Sequence, residues 1–132
     1  MRALSLELRY LIYVAILMAF TWIPYVIAHV KQVGQVVALS YPERMDMPGW
    51  AHRLKRAHYN LLENIPLFAI AVMAGEFRGI HTAVTAACAM VFFWARVAYP
   101  VAVLANIWGT RTATFTIGWI AVVIYLFVVL TA

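Results

Sequence analysis

The sequence predicts an all-α integral membrane protein, folded as an up-down bundle of four membrane-spanning helices. Of its 132 residues, 66% are hydrophobic and only 11% are charged, whereas an ordinary soluble domain has about 25% charged residues. Four stretches are long enough to cross a hydrocarbon core, which takes about 20 apolar residues in a helix. Their apolar residues do not alternate with polar ones as barrel strands require, so helices are the expected spanning form.

The predicted spans account for nearly the whole chain, so we expect a single membrane domain, residues 1–132. In chain order the spans are Tyr10–His29, Ala57–Ala74, Thr82–Ala105 and Thr112–Thr131. The first contains Pro24, which predicts a kink because proline has no backbone N–H to donate. It also lacks a small-x-small cleavage site, which favours a retained span over a signal peptide.

The connections predict two antiparallel hairpins joined by a longer loop. A short turn between Gly75 and Gly79 places the second and third spans in a tight hairpin. The third and fourth spans are joined by the short connection Asn106–Thr110. The longest connection, about residues 31–55, contains a turn-rich segment at Tyr41–Gly49.

The net charge of +5 is distributed in a way that predicts topology, and we expect no nucleic-acid partner. Most basic residues lie in or beside the first and third connections, and basic residues in short loops mark the cytoplasmic side. They are Lys31, Arg44, Arg53, Lys55, Arg56 and Arg111. Both termini are then expected on the non-cytoplasmic side, for example of a bacterial inner membrane. The basic loops would contact anionic membrane lipids.

Polar and charged side chains cluster at the cytoplasmic ends of the predicted spans. Arg56, Asn60 and Glu63 are four and three residues apart, so on a helix they share one face. Arg96 and Arg111 fall at a similar depth in the third and fourth spans. A charged residue at membrane depth costs about 2.5–3.5 kcal/mol on insertion scales and marks a functional site. Three arginines with one carboxylate predict a small polyanionic ligand that enters from the cytoplasm.

Each of these residues also has a plainer explanation. Arg56 can extend to the lipid headgroups, Arg111 can be an ordinary positive-inside residue, and Asn60 can bond a neighbouring helix. Glu63 and Arg96 can form a buried ion pair that only fixes helix register. Together these alternatives leave one arginine in the membrane without a partner. No set of His, Cys and Glu residues has metal-ligand spacing, so we expect no metal site.

Three segments of the chain resemble the MAPEG family, the membrane-associated proteins in eicosanoid and glutathione metabolism. The family's second-helix signature is closely matched by Arg56-Ala57-His58-x-Asn60-x-x-Glu63-Asn64-x-Pro66-x-Phe68. The arginine-led motif of its third helix is similar to Arg96-Val97-Ala98-Tyr99, and the start of its fourth is similar to Arg111-Thr112-x-Thr114-Phe115. Length and number of spans also fit, so the chain resembles a bacterial-type microsomal glutathione transferase over almost its whole length.

The resemblance implies a homotrimer of four-helix subunits that binds glutathione in clefts between adjacent subunits, near the cytoplasmic face. The polar groups of this cosubstrate would be held by Arg56, Asn60, Glu63 and Arg96. Arg111 would lie near the thiol, because a nearby cation lowers the pKa of a thiol from about 8.5 and favours the thiolate. A lipophilic small molecule, the second substrate, would arrive from the bilayer.

One position departs from the family pattern and leaves the chemistry open. Catalytically competent relatives often carry a tyrosine seven positions after the third-helix arginine, and here this position is Val103. Tyr99, one turn earlier, would be the substitute source of a hydroxyl. The resemblance implies a glutathione-dependent transferase or peroxidase acting on lipophilic electrophiles or hydroperoxides. The alternatives are a glutathione-binding protein without catalysis and a small four-span exporter in which Glu63 binds a cation or proton.

Overall fold

The computed structural model describes residues 3–40 and 44–132, and in these ranges the chain is helical and contains no strand. The helices, in chain order, are α1 (Leu6–Thr21), α2 (Ile23–Val33), α3 (Gln35–Ala38), α4 (Gly49–Arg78), α5 (Ala83–Ala105) and α6 (Thr110–Thr131). The predicted all-α class is therefore confirmed. Residues 41–43 of the predicted turn-rich segment lie outside the described ranges, and residues 44–48 are not helical.

Three helical stretches in the described ranges are long and apolar enough to cross a membrane: Leu6–Val33, Ala83–Ala105 and Thr110–Thr131. The remaining long helix, α4, has 30 residues, and its polar residues lower its mean hydropathy. The predicted second span, Ala57–Ala74, lies wholly within α4 and stays a prediction as a membrane crossing. Many outward-facing side chains on the apolar helices are exposed, among them Phe127 and Leu130 on α6, as expected for a surface that contacts lipid.

The first span is interrupted close to Pro24, where a kink was predicted. α1 ends at Thr21, Trp22 lies in a turn, and α2 begins at Ile23 with Pro24 in its first turn. This is the position that suits proline, because the first N–H groups of a helix have no partner within it. Together the two helices extend beyond the predicted span at both ends.

α4 begins at Gly49, eight residues before the predicted span, and this part of the expected loop is therefore helical. Here Ala51 and Leu54 are buried and pack with Tyr25 and Met47. The side chains between them remain polar. Hydropathy marked only the apolar part of this helix, because its first turns are amphipathic and continue beyond the apolar region.

The bundle core is formed by α1, α4, α5 and α6. Phe68 of α4 stacks on Phe92 of α5 with ring centroids 4.2 Å apart, and it meets the ring of Tyr125 of α6 edge-on at 6.4 Å. Ala71 and Ala89 are completely buried beside them, which lets the helices approach closely. At one end of this core, the start of α4, the end of α5 and the start of α6 lie around a cleft.

Candidate functional site

An open cleft of about 1010 Å³ lies between the start of α4, the end of α5 and the start of α6. α4 contributes Arg53 and Arg56, and α6 contributes Arg111. Among the described residues that line the cleft there is no aspartate or glutamate. Three guanidinium groups without a carboxylate create a positive potential that attracts anions.

Two of the three arginines predicted for this site, Arg56 and Arg111, are exposed and line the same cleft. They come from different helices, so the fold brings together residues 55 positions apart in the sequence. On the α5 wall, Tyr99 is 8% exposed and Val103 is 7% exposed, and both line the cleft. The wall therefore carries a hydroxyl at Tyr99 and only an isopropyl group one turn later.

Arg96 is enclosed in the bundle beside this cleft. It is 2% exposed, and its guanidinium carbon lies 5.0 Å from the ring centroid of Phe92 and 5.4 Å from that of Phe115. Its Nη1 donates a hydrogen bond to the Asn60 side-chain oxygen at 2.9 Å, and its Nη2 donates to the Phe115 carbonyl at 3.4 Å. Arg96 is thus a link between α4 and α6.

Gly118 of α6 makes room for the Arg96 side chain. A Cβ atom on Gly118 would lie only 2.7 Å from Arg96 Nη2 and 3.1 Å from its Nε. Atoms that close overlap, so any larger residue on this face of α6 would displace the guanidinium. The glycine is therefore part of the arrangement that buries Arg96.

Asn60 lies next to the cleft. A small cavity of about 10 Å³, with room for about one water molecule, is lined by Asn60 and Arg96 together with Ala57 and Tyr99, and the last two also line the cleft. On the same helix, Asn64 Nδ2 donates to the Asn60 carbonyl at 2.7 Å. Asn60 thus lies between the buried arginine and the open site.

Glu63 is exposed and is not among the residues that line the cleft. It forms no ion pair with Arg96 in the described part of the chain, where both carboxylate contacts within 4.0 Å involve His81. The buried Glu63–Arg96 pair considered as an alternative is therefore absent. The reason is geometric: Asn60, three residues earlier on α4, occupies the position facing Arg96.

Arg53 is a cleft-lining arginine that was not predicted to belong to the site. It lies one helical turn before Arg56 and, like it, lines the cleft. Residues three apart share one face of a helix, so Arg53 could have been grouped with Arg56. Residues 31–55 were expected to be loop, however, and in a loop this spacing does not place two side chains together. Across residues 3–40 and 44–132, no group of three or more His, Cys, Asp or Glu side chains is placed to hold a metal ion.

The comparison with known families agrees with this architecture. The model of the MAPEG family matches residues 8–131, which include most of α1 and the whole of every later helix. No curated protein matches the chain. Because the family match covers nearly all of an all-helical chain with three apolar membrane-span candidates, this integral membrane protein belongs to the MAPEG family.

Proposed function

We propose that the protein is a membrane-bound glutathione-dependent transferase or peroxidase that acts on lipophilic electrophiles or hydroperoxides. Membership of the MAPEG family suggests glutathione-related transferase chemistry or a related activity. The observation that carries the proposal is the cleft in which Arg53, Arg56 and Arg111 have no carboxylate among the described lining residues. Glutathione has two carboxylates and an ionisable thiol, and these would neutralise the three arginines.

The ammonium group of glutathione is a reason to expect that the site is shared between subunits. Its ammonium group needs an acceptor, and the described lining of the cleft offers no carboxylate. Glu63 lies on the same helix as Arg56 but is exposed on the outer surface, where an adjacent subunit can approach it. This arrangement supports the homotrimer implied by the family resemblance, with glutathione held between neighbouring subunits.

Arg111 is proposed to stabilise the glutathione thiolate. A guanidinium close to the sulfur favours the charged form, and each unit by which the thiol pKa falls is worth about 1.4 kcal/mol. In the transferase reaction, the thiolate sulfur forms a bond to the electrophilic carbon and the leaving group departs with its electron pair. In the peroxidase reaction, the sulfur attacks the terminal peroxide oxygen and the O–O bond breaks. The departing alkoxide takes a proton, which the Tyr99 hydroxyl can donate, and a second glutathione converts the resulting sulfenic acid to the disulfide and water.

The lipophilic second substrate is proposed to reach the cleft from the bilayer. The cleft lining includes Ile107 and Ile117, which are 61% and 52% exposed, so an apolar molecule that covers them gains hydrophobic stabilisation. The basic residues near this end support a cytoplasmic location for the site. With that orientation, both termini lie on the non-cytoplasmic side, for example of a bacterial inner membrane.

A second candidate is a glutathione-binding protein of this family that has no catalytic activity. Val103 favours it, because this residue lines the cleft and brings no hydroxyl. The exporter alternative is less well supported, because the three arginines of the cleft would repel a cation in transit. These candidates differ in whether glutathione binds and whether its thiol ionises on binding.

The test is glutathione binding to the purified, detergent-solubilised protein, followed by stopped-flow measurement of thiolate absorbance. We expect saturable binding, a thiolate signal, and turnover with a reactive aryl halide or an organic hydroperoxide. Binding without a thiolate signal or turnover would favour the non-catalytic candidate. Absence of saturable binding at millimolar glutathione would overturn both. Chemical cross-linking checks the assembly, and a ladder that stops at dimer would contradict the trimer.

A further inference from the structure

We propose that Arg96 is a positioning residue: it turns the Asn60 side-chain amide so that its N–H₂ group is offered to the ligand, and Gly118 is the residue that permits this. The inference rests on the proposed function, because it assumes that Asn60 contacts glutathione. It assigns different roles to two residues that the family resemblance places together in the ligand site. It also adds Gly118, which belongs to no part of that resemblance.

The hydrogen-bonding capacity of arginine fixes which end of the Asn60 amide it contacts. A guanidinium only donates, so the atom that Arg96 Nη1 meets at 2.9 Å must be the Asn60 oxygen. The amide nitrogen of Asn60 is left over, and it makes no hydrogen bond within the described residues. It is also not among their fully buried unpartnered atoms. This nitrogen can only donate, so its ligand partner must be an acceptor, such as a carboxylate or carbonyl oxygen.

The surroundings of Arg96 hold it away from the ligand. The side chain is 2% exposed, and the rings of Phe92 and Phe115 lie 5.0 Å and 5.4 Å from the guanidinium carbon. Its Nη2 is directed to the Phe115 carbonyl of α6. A group confined by two aromatic rings and bonded to two helices has one orientation available. Arg96 therefore acts through Asn60.

Gly118 gives this idea a test that deletes no polar group. A methyl group on Gly118 would fall 2.7 Å from Arg96 Nη2, so Gly118→Ala must shift the guanidinium, and we expect this shift to weaken its bond to the Asn60 oxygen. Gly75→Ala is the matched control, because Gly75 is another buried helical glycine. Its added methyl would meet the Tyr125 hydroxyl at 3.3 Å, far along α4 from the cleft.

The experiment is a double-mutant cycle with glutathione Kd and the kcat-to-KM split as readouts. We expect Gly118→Ala and Asn60→Ala each to weaken glutathione binding about tenfold, the effect of losing one charge-assisted hydrogen bond. In the Asn60→Ala background, Gly118→Ala should cost no further affinity, because the group it positions is gone. The loss should appear more in the KM for glutathione than in kcat, and the Gly75→Ala affinity should stay close to wild type.

Independent, additive losses in the cycle would overturn the positioning role, because they would show that Arg96 or Gly118 acts without Asn60. If wild type binds glutathione and Asn60→Ala binds equally well, the inference fails while the proposed function stands. If Gly118→Ala does not fold, Arg96→Lys replaces it in the cycle, since it keeps the charge and loses the planar fork.

A second measurement decides the orientation even if wild type binds no glutathione and the proposed function fails. The Asn60 side-chain amide resonance, in ¹⁵N-labelled protein and assigned with Asn60→Asp, should shift in Arg96→Lys and Gly118→Ala. It should not shift in Gly75→Ala. An unchanged resonance in both test variants would show that Arg96 does not set the orientation of Asn60.

Discussion

The two ends of the bundle carry polar groups in opposite arrangements. At one end, Arg53, Arg56 and Arg111 line an open cleft in which the described residues supply no opposite charge. At the other end, Glu7 is 3% exposed. It accepts a hydrogen bond from the Thr85 hydroxyl at 2.6 Å and lies 3.5 Å from His81.

The polar side chains at the second end find their partners within the chain. The other ring nitrogen of His81 lies 3.9 Å from Glu76, which also accepts a hydrogen bond from Ser5. Donors and acceptors there come from α1, α4, α5 and the turn between α4 and α5, so the cluster joins these elements. A cavity of about 750 Å³ also lies at this end, but the two glutamates that line it already have partners within the chain, so it does not resemble the cleft. The carboxylates of the structural end are thus hydrogen-bonded within the chain, whereas the arginines of the candidate binding end face an open cleft with no carboxylate among its described lining.

The largest expected effect comes from Arg111 at the cleft. Arg111→Ala should lower turnover about 100-fold, the size expected when one preorganised group that stabilises developing charge is removed. Glutathione affinity should change much less, because two other arginines of the cleft remain. Stopped-flow thiolate absorbance and steady-state rates measure the two effects. Arg9→Ala, at an exposed position near the start of α1, is the control. Equal losses of binding and thiolate formation would contradict the assigned role.

The next largest effect is expected at the opposite end of the bundle, where a substitution should change stability but not ligand binding. Thr85→Val removes the hydroxyl that bonds Glu7, at a site that is 0% exposed. The free energy of unfolding should fall by about 2 kcal/mol, because a buried carboxylate loses a donor and the Thr82 N–H at the start of α5 loses its capping bond to the same hydroxyl. Denaturant unfolding in detergent measures this change, and glutathione Kd should remain at the wild-type value. Thr131→Val is the control, because its hydroxyl bond to the Phe127 carbonyl is exposed. A change in affinity would show that the two ends are coupled.

How far the sequence predicted these regions depends on the range of the interactions. Apolar length predicted where the long apolar helices lie, and the short turn before Gly79 predicted the α4–α5 hairpin, although α4 continues through the expected turn to Arg78. The Glu7–Thr85 bond joins residues 78 positions apart, and no local pattern points to it. Similarly, the sequence shows that Arg96 lies within the third predicted span, but its enclosure depends on Phe115 and Gly118 of another helix. The amphipathic start of α4 was expected to be loop, which hid Arg53.

A gain of function would separate the catalytic from the non-catalytic candidate. Val103→Tyr introduces a hydroxyl into the cleft wall at the position where catalytic relatives often carry tyrosine. We expect turnover with an organic hydroperoxide to rise about tenfold, a modest share of what a positioned proton donor contributes. Val101→Tyr is the control on the same helix, at a position that is 63% exposed and outside the cleft lining. Equal rates for both variants and wild type would show that the missing hydroxyl is not limiting.

The smallest expected effect tests whether the cleft, and not the general basicity of this end, attracts the ligand. Arg53 lines the cleft and Lys55, two residues later, does not; Lys55 instead contacts Met45 and the Tyr59 ring. Each alanine substitution removes one positive charge from the same helix. Arg53→Ala should weaken glutathione binding about fivefold at low salt and less at high salt, since partly exposed charges are screened.

Lys55→Ala should leave the glutathione Kd nearly unchanged at every ionic strength, although it alters the net charge equally. Titration calorimetry at two salt concentrations provides the comparison. Matching losses for the two variants would mean that the ligand responds to the overall field of this end. In that case, the difference between the arginine cleft and the hydrogen-bonded cluster at the other end would not show where the ligand binds. A loss confined to Arg53→Ala would instead extend the site one turn towards the start of α4, into the segment that hydropathy assigned to a loop.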